Sequence, residues 1–208
     1  ISFLGLESIA GLSEQDASTY VAFYWGGLMI GRFLGAVSLS DMKNKNLKNL
    51  IMAGIPLLAF LVIWGTNGIL IAGIYSIFLV ANLMAFMLGK SLPHRTLFVF
   101  SIVAVGLLIT TLLTSGMVAM WTVIGIGLFN SIMWSNIFTL AINGLGKYKS
   151  QGSSLLVMMI LGGAIIPPIQ GAFADSIGVH ASFFVPIVCY LYLEFYGLKG
   201  YKPKIVAE

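Results

Sequence analysis

Apolar residues run along this chain in seven long stretches, at roughly 19–39, 48–65, 69–88, 97–114, 117–142, 154–172 and 181–198, with short polar gaps between them. A helix crossing hydrocarbon needs about 20 such residues, so the pattern predicts seven membrane-spanning helices. The second and third are close enough to form a tight hairpin across Thr66-Asn67-Gly68. The expected fold is an all-α polytopic membrane protein.

Charge supports the count. Ten of the eleven Lys and Arg lie in or at the edge of alternate gaps and in the tail: Lys43, Lys45, Lys48, Lys90, Arg95, Lys147, Lys149, Lys199, Lys202 and Lys204. The gaps at 66–68, 115–116 and 174–180 and the leading stretch carry none. Basic loops stay cytoplasmic, which predicts a cytoplasmic C-terminus and, in a bacterium, an inner-membrane location. Only Arg32 falls inside a helix. Composition agrees, with 59% hydrophobic and 9% charged residues against about 25% charged in a soluble domain. The isoelectric point near 9.2 is therefore a signal of topology toward anionic lipid, and no nucleic-acid partner is expected. One cysteine, Cys189, lies in the last helix, and His94 and His180 lie in loops. No metal cluster and no cofactor is predicted.

The leading residues 1–18 read as the end of a truncated helix (Ile1–Leu6) and an external loop, acidic through Glu7, Glu14 and Asp16. The chain is thus expected to be part of something longer.

Several helices carry candidate chemistry. In 19–39, Gly27, Gly31 and Gly35 recur every four residues, a stripe that lets another backbone approach closely. Arg32 beside it either faces protein or snorkels to the interface. The hairpin at 46–96 looks lipid-facing, its interior polar residues being Ser76 and Asn82. In 117–142, Asn130, Ser131, Trp134 and Ser135 fall within about 140° of one another at 100° per residue. Asn130 is either a ligand contact beside an aromatic stacking face or interhelical glue. Asn136 and Asn143 read as glue. In 154–172, Gly162-Gly163 precedes Pro167-Pro168, and the prolines free the carbonyls of Gly163 and Ala164. The helix should kink or open near its middle, either as a structural bend or as the broken helix of a transport site. Glu194 reads as an interfacial carboxylate or a proton relay, with Tyr190, Tyr192, Tyr196 and Tyr201 as an anchor.

These residues also resemble a known family. Gly127-Leu-Phe-Asn-Ser-Ile-Met133, the run at 137–142, Gly144-Leu-Gly-Lys147, Gln151 to Met158, Gly162 to Pro168, Ala174 to Gly178 and Tyr196 to Gly200 resemble the fucose/galactose/glucose:proton symporters of the major facilitator superfamily. Gly31-Arg-Phe-Leu-Gly35, with Asp41 beyond it, resembles the start of that family's second-half cytoplasmic loop motif. The resemblance implies the C-terminal half of a twelve-helix fold. Helices 8 to 12 would be 19–39, 97–114, 117–142, 154–172 and 181–198, so 19–45 is helix 8 with its loop and 97–198 holds helices 9 to 12. Residues 46–96 are then an inserted two-helix hairpin, and 199–208 a cytoplasmic tail. Ser135 stands where the family has proline, so helix 10 is expected to be straighter.

The implied function is alternating-access import of a hexose such as glucose, galactose or L-fucose, coupled to protons. Asn130, Ser131, Trp134 and Gln170 would contact the sugar. Gly27, Gly31, Arg32, Gly35, Asp41, Gly162, Gly163, Pro167 and Pro168 would serve packing and conformational change. Implied partners are the sugar, the proton, membrane lipid and the missing N-terminal half, where the coupling carboxylates would lie. Alone, the chain is not expected to transport. The rival readings are a carrier of another small polar solute and a channel or structural subunit. A membrane enzyme lacks an intramembrane nucleophile with its base.

Overall fold

In the computed structural model, which describes residues 1–40 and 42–202, the seven expected stretches are all helical. They occupy Glu14–Ser38 (α1), Lys45–Asn67 (α2), Ile69–Gly89 (α3) and Pro93–Leu113 (α4). Next come Gly116–Asn130 (α5) with Met133–Ala141 (α6), Lys149–Met158 (α7) with Gly162–Ile177 (α8), and Phe184–Phe195 (α9). Counting α5–α6 and α7–α8 as single interrupted spans, seven are long and apolar enough to cross a membrane. The chain is an all-α polytopic membrane protein.

Local signals set the ends. Ser13 accepts from the Asp16 amide at 3.2 Å and caps α1, and Asn44 accepts from Leu47 N at 3.1 Å and caps α2, each satisfying a donor that the helix leaves open. Gly68, at φ +84°, turns α2 straight into α3.

α5 is the central helix, with ten of its fifteen residues buried. α1, α3 and α4 pack around it, α9 lies on α4, and α2 bridges α3 and α1. Where α1 meets α5 both surfaces are glycine. Gly127 of α5 rests on the Tyr24 carbonyl, while Gly31 and Gly35 of α1 receive Ser131 and Ile132. Without a hydrophobic drive between helices in lipid, such close approach supplies the packing energy. Phe100 of α4 stacks edge-on with Phe86 of α3 at 4.8 Å and Phe129 of α5 at 5.6 Å.

Several expectations are corrected. The hairpin is not simply lipid-facing: α2 is largely exposed, but α3 buries Ala72, Tyr75, Leu79, Asn82, Ala85 and Phe86. Their spacing of three and four residues makes one buried face of a helix that is apolar all round. Residues 1–12 form turns and irregular backbone, with Phe3, Leu4 and Ile9 buried. α1 already begins at Glu14, inside the expected loop. His94 lies in the first turn of α4 rather than in a loop, with its ring stacked on Tyr201 at 4.8 Å, whereas His180 does lie in the connection after α8, its Nε2 2.6 Å from the Thr111 carbonyl rather than free in solvent. Lys48 does not face headgroups alone, since its Nζ donates to the carbonyls of Ser38 (2.6 Å) and Ser40 (3.1 Å).

The α1–α5 seam makes a prediction. A methyl at Gly127 meets backbone, which cannot rotate away, whereas one at Gly26 meets nothing within 4 Å. Gly127→Ala should cost roughly 1–3 kcal/mol, the usual range for overpacking, and lower the thermal midpoint in detergent by several degrees. Gly26→Ala should match the parent. Equal midpoints would mean the seam is looser than its geometry.

Candidate functional site

Near the middle of their spans, α1, α5 and α9 each place one polar side chain at a common point. Asn130 donates from Nδ2 to Tyr24 Oη at 2.9 Å, and Tyr190 donates its hydroxyl to Asn130 Oδ1 at 2.6 Å. The amide is thereby oriented at both ends. The Tyr24 oxygen acts as acceptor, so its own O–H and the second Asn130 N–H remain available as donors. The cluster holds no ionisable carboxylate or amine: it is a set of neutral hydroxyl and amide groups at membrane depth. A cavity of about 150 Å³ reaches Tyr24 between α1, α5 and the leading turns.

Directly beyond Asn130 the helix stops. Ser131 keeps helical dihedrals, but Ile132 leaves them at φ −117°, ψ 4°, and α6 restarts at Met133. Straightness was expected from Ser135 in place of proline, and this is the correction. The Leu128 carbonyl, which would accept from Ile132 N–H in a continuous helix, is taken by Ser131 Oγ at 2.7 Å and Asn82 Nδ2 at 3.1 Å. Arg32 Nε donates to the Ser131 carbonyl at 3.4 Å. Side-chain donors have opened the helix where no proline is present.

The expected site residues divide accordingly. Asn130 lies in the cluster, and Trp134, the second residue of α6, is 43% exposed. Ser131 does not join them as a ligand contact, because it is buried against Gly31 with its hydroxyl used on Leu128. Gln170 is half-buried on α8, and α8 packs on α9 and the turns at 159–161 and 181–183, not on α5 or α6. Gly27, Gly31 and Gly35 face α5, and a Cβ added at Gly27 would also meet Tyr75 Oη. Arg32 is exposed, with one side-chain bond among the described residues, rather than enclosed in protein. Gly163, Pro167 and Pro168 are exposed and Gly162 half-buried. The disturbance predicted at Gly163–Ala164 lies one turn earlier, as a 3₁₀ turn over Met159–Leu161, and α8 runs unbroken through both prolines. Asp41 lies outside the described residues.

The glue assigned to Asn136 and Asn143 is also corrected. Asn136 is fully buried with neither end of its amide bonded to a described residue, and Asn143 is exposed. Tyr190, read as part of an interfacial anchor, belongs to the mid-span cluster. The signal was its depth: belt tyrosines sit at interfaces, and a hydroxyl in mid-helix must find a partner. Tyr24 is missed for the same reason. A groove of about 650 Å³ between α1 and α2 is lined almost wholly by apolar side chains and takes in none of the three cluster residues.

The Tyr190–Asn130 contact should show itself energetically. A double-mutant cycle of Tyr190→Phe and Asn130→Ala, read by unfolding in detergent, should give a coupling of about 0.6–1.7 kcal/mol, the range for polar contacts inside membranes. Additive single effects would mean that the bond contributes nothing to stability.

No protein-family model matches the sequence, and no solved structure matches it. Curated relatives do. The glucose/galactose transporter of Brucella abortus is 40% identical over 202 residues, which take in 97% of this chain and 37% of that protein. A putative glucose/galactose transporter of Helicobacter pylori is 30% identical over 204 residues, 96% of this chain and 38% of that protein. The L-fucose-proton symporter of Escherichia coli is 28% identical over 129 residues, 57% of this chain and 30% of that protein. The chain therefore spans less than two-fifths of the length of the curated relatives it matches.

Proposed function

The chain is homologous along nearly its whole length to the glucose/galactose and L-fucose sugar:proton transporter family, and on that premise we propose that it is part of a secondary carrier. Its cargo is a hexose such as glucose, galactose or L-fucose, taken across a bacterial inner membrane by alternating access and proton symport. The observation that carries this reading is the Tyr24–Asn130–Tyr190 cluster. A hexose is neutral and covered in hydroxyls that both donate and accept, and the cluster offers neutral donors and acceptors at the depth where carriers bind substrate. Trp134 supplies an exposed aromatic face for the apolar side of the ring.

Asn130 and Trp134 make the sugar contacts, with Tyr24 and Tyr190 presenting the amide. Gln170 reaches the sugar only from α8, whose broad exposed surface is where the rest of the carrier packs. Ser131 belongs to the helix break rather than to the ligand. The coupled proton is carried elsewhere in the carrier, because the cluster has no carboxylate, imidazole or amine to take it. Gly27, Gly31, Gly35, Arg32 and Asp41 on one side, and Gly162, Gly163, Pro167 and Pro168 on the other, serve the rocking of the two halves. The basic loops place the C-terminus in the cytoplasm, and residues 46–96 are a hairpin added between helices 8 and 9.

The test is labelled-sugar uptake by the full-length carrier in vesicles, with and without an imposed proton gradient. One of the three sugars should accumulate only with the gradient. Asn130→Ala should weaken half-saturation about tenfold, equivalent to losing one well-made hydrogen bond, and Trp134→Ala should act in the same direction. Uptake of none of the three by properly inserted protein would remove the cargo assignment and leave another polar solute. Parent-like uptake by both variants would move the site away from α5.

A further inference from the structure

The hairpin reaches the polar cluster from behind. On α3, Tyr75 and Asn82 are seven residues apart and therefore on one face. Tyr75 donates its hydroxyl to the Phe23 carbonyl at 3.0 Å, and Asn82 donates from Nδ2 to the Leu128 carbonyl at 3.1 Å. Phe23 is the residue before Tyr24, and Leu128 lies two before Asn130. A single helix thus grips the backbone immediately upstream of two of the three members of the cluster, on two different helices.

Packing alone does not account for these side chains. Asn82 is fully buried, and its Oδ1 has no partner among the described residues. A leucine would fill similar volume without burying an unsatisfied carbonyl in lipid, which is costly. What asparagine adds is a donor to Leu128, and that donor helps end α5 just past Asn130. Tyr75 is also buried, with its ring against Phe23 at 5.6 Å, and phenylalanine would keep that contact. The hydroxyl adds the bond to α1.

We infer that Tyr75 and Asn82 are positioning residues, through which the α2–α3 hairpin sets the separation and orientation of Tyr24 and Asn130. As far as sugar is concerned, this rests on the functional reading above; the effect on the cluster's geometry does not.

The experiment places 3-fluorotyrosine at position 24 of the full-length carrier and reads its ¹⁹F resonance in detergent. Asn130→Ala calibrates loss of the bond to Tyr24. Asn82→Leu and Tyr75→Phe should each move the resonance in that direction, while fluorotyrosine at the exposed Tyr148 stays unchanged. Ser76→Ala on the same helix, whose hydroxyl bonds only to the Gly73 carbonyl, should leave position 24 as in the parent. In uptake, the two α3 variants should raise half-saturation about tenfold with maximal rate nearly preserved. A resonance at 24 unmoved by both variants would overturn the inference, whatever the uptake shows. A moved resonance in a carrier that takes up no sugar would uphold it and remove the cargo reading alone.

Discussion

The closeness of α1 and α5 sets the terms for everything else at the centre of this chain. Two helices in lipid gain nothing by hiding apolar surface from each other, since the surrounding tails are equally apolar. They gain dispersion contacts, and these fall away within an ångström of separation. Glycine on both partners, Gly127 beneath the Tyr24 carbonyl and Gly31 and Gly35 beneath Ser131 and Ile132, removes the side chains that would hold the backbones apart. Arg32 can reach the Ser131 carbonyl, and Asn130 can reach Tyr24, because the axes lie this near. Widening the seam would dissolve the polar cluster before it unfolded any helix.

The cluster illustrates how hydrocarbon turns a polar residue into a structural specification. A buried amide left alone costs a few kcal/mol, so Asn130 is stable in mid-span only where donors and acceptors come to meet it. Tyr24 and Tyr190 do so from separate helices, and neither contributes a charge. The chemistry left for a ligand is hydroxyl-like and neutral. That is a narrow selection, and it separates this centre from the charged centres that move ions or protons directly.

Much of the architecture was legible because it follows from one-dimensional quantities. Apolar length marks the spans, alternating Lys and Arg mark the loops, and Gly27, Gly31 and Gly35 mark a seam by spacing alone. Asn130 was also legible, as an amide at membrane depth. What could not be read is pairing. Nothing in the order of residues says that Tyr190, sixty positions away, meets Asn130 rather than the interface, or that Asn82 faces Leu128 rather than lipid. The α3 helix is apolar on every side, so its sequence offers no contrast by which to find its buried face. The break after Asn130 was hidden for a related reason. Its freed carbonyl is met by the adjacent Ser131 and by Asn82 of another helix, and no local residue announces that pairing.

The two interrupted spans are built differently. Pro167 and Pro168 delete two amide donors permanently, and no rearrangement of neighbours restores them. The interruption in α5–α6 deletes nothing. Ile132 keeps its N–H, and the Leu128 carbonyl is occupied only while Ser131 and Asn82 point at it. The two spans thus differ in kind: α8 runs on through two prolines whose donors are missing in any arrangement, whereas the α5–α6 break has neighbouring side chains on the freed carbonyl.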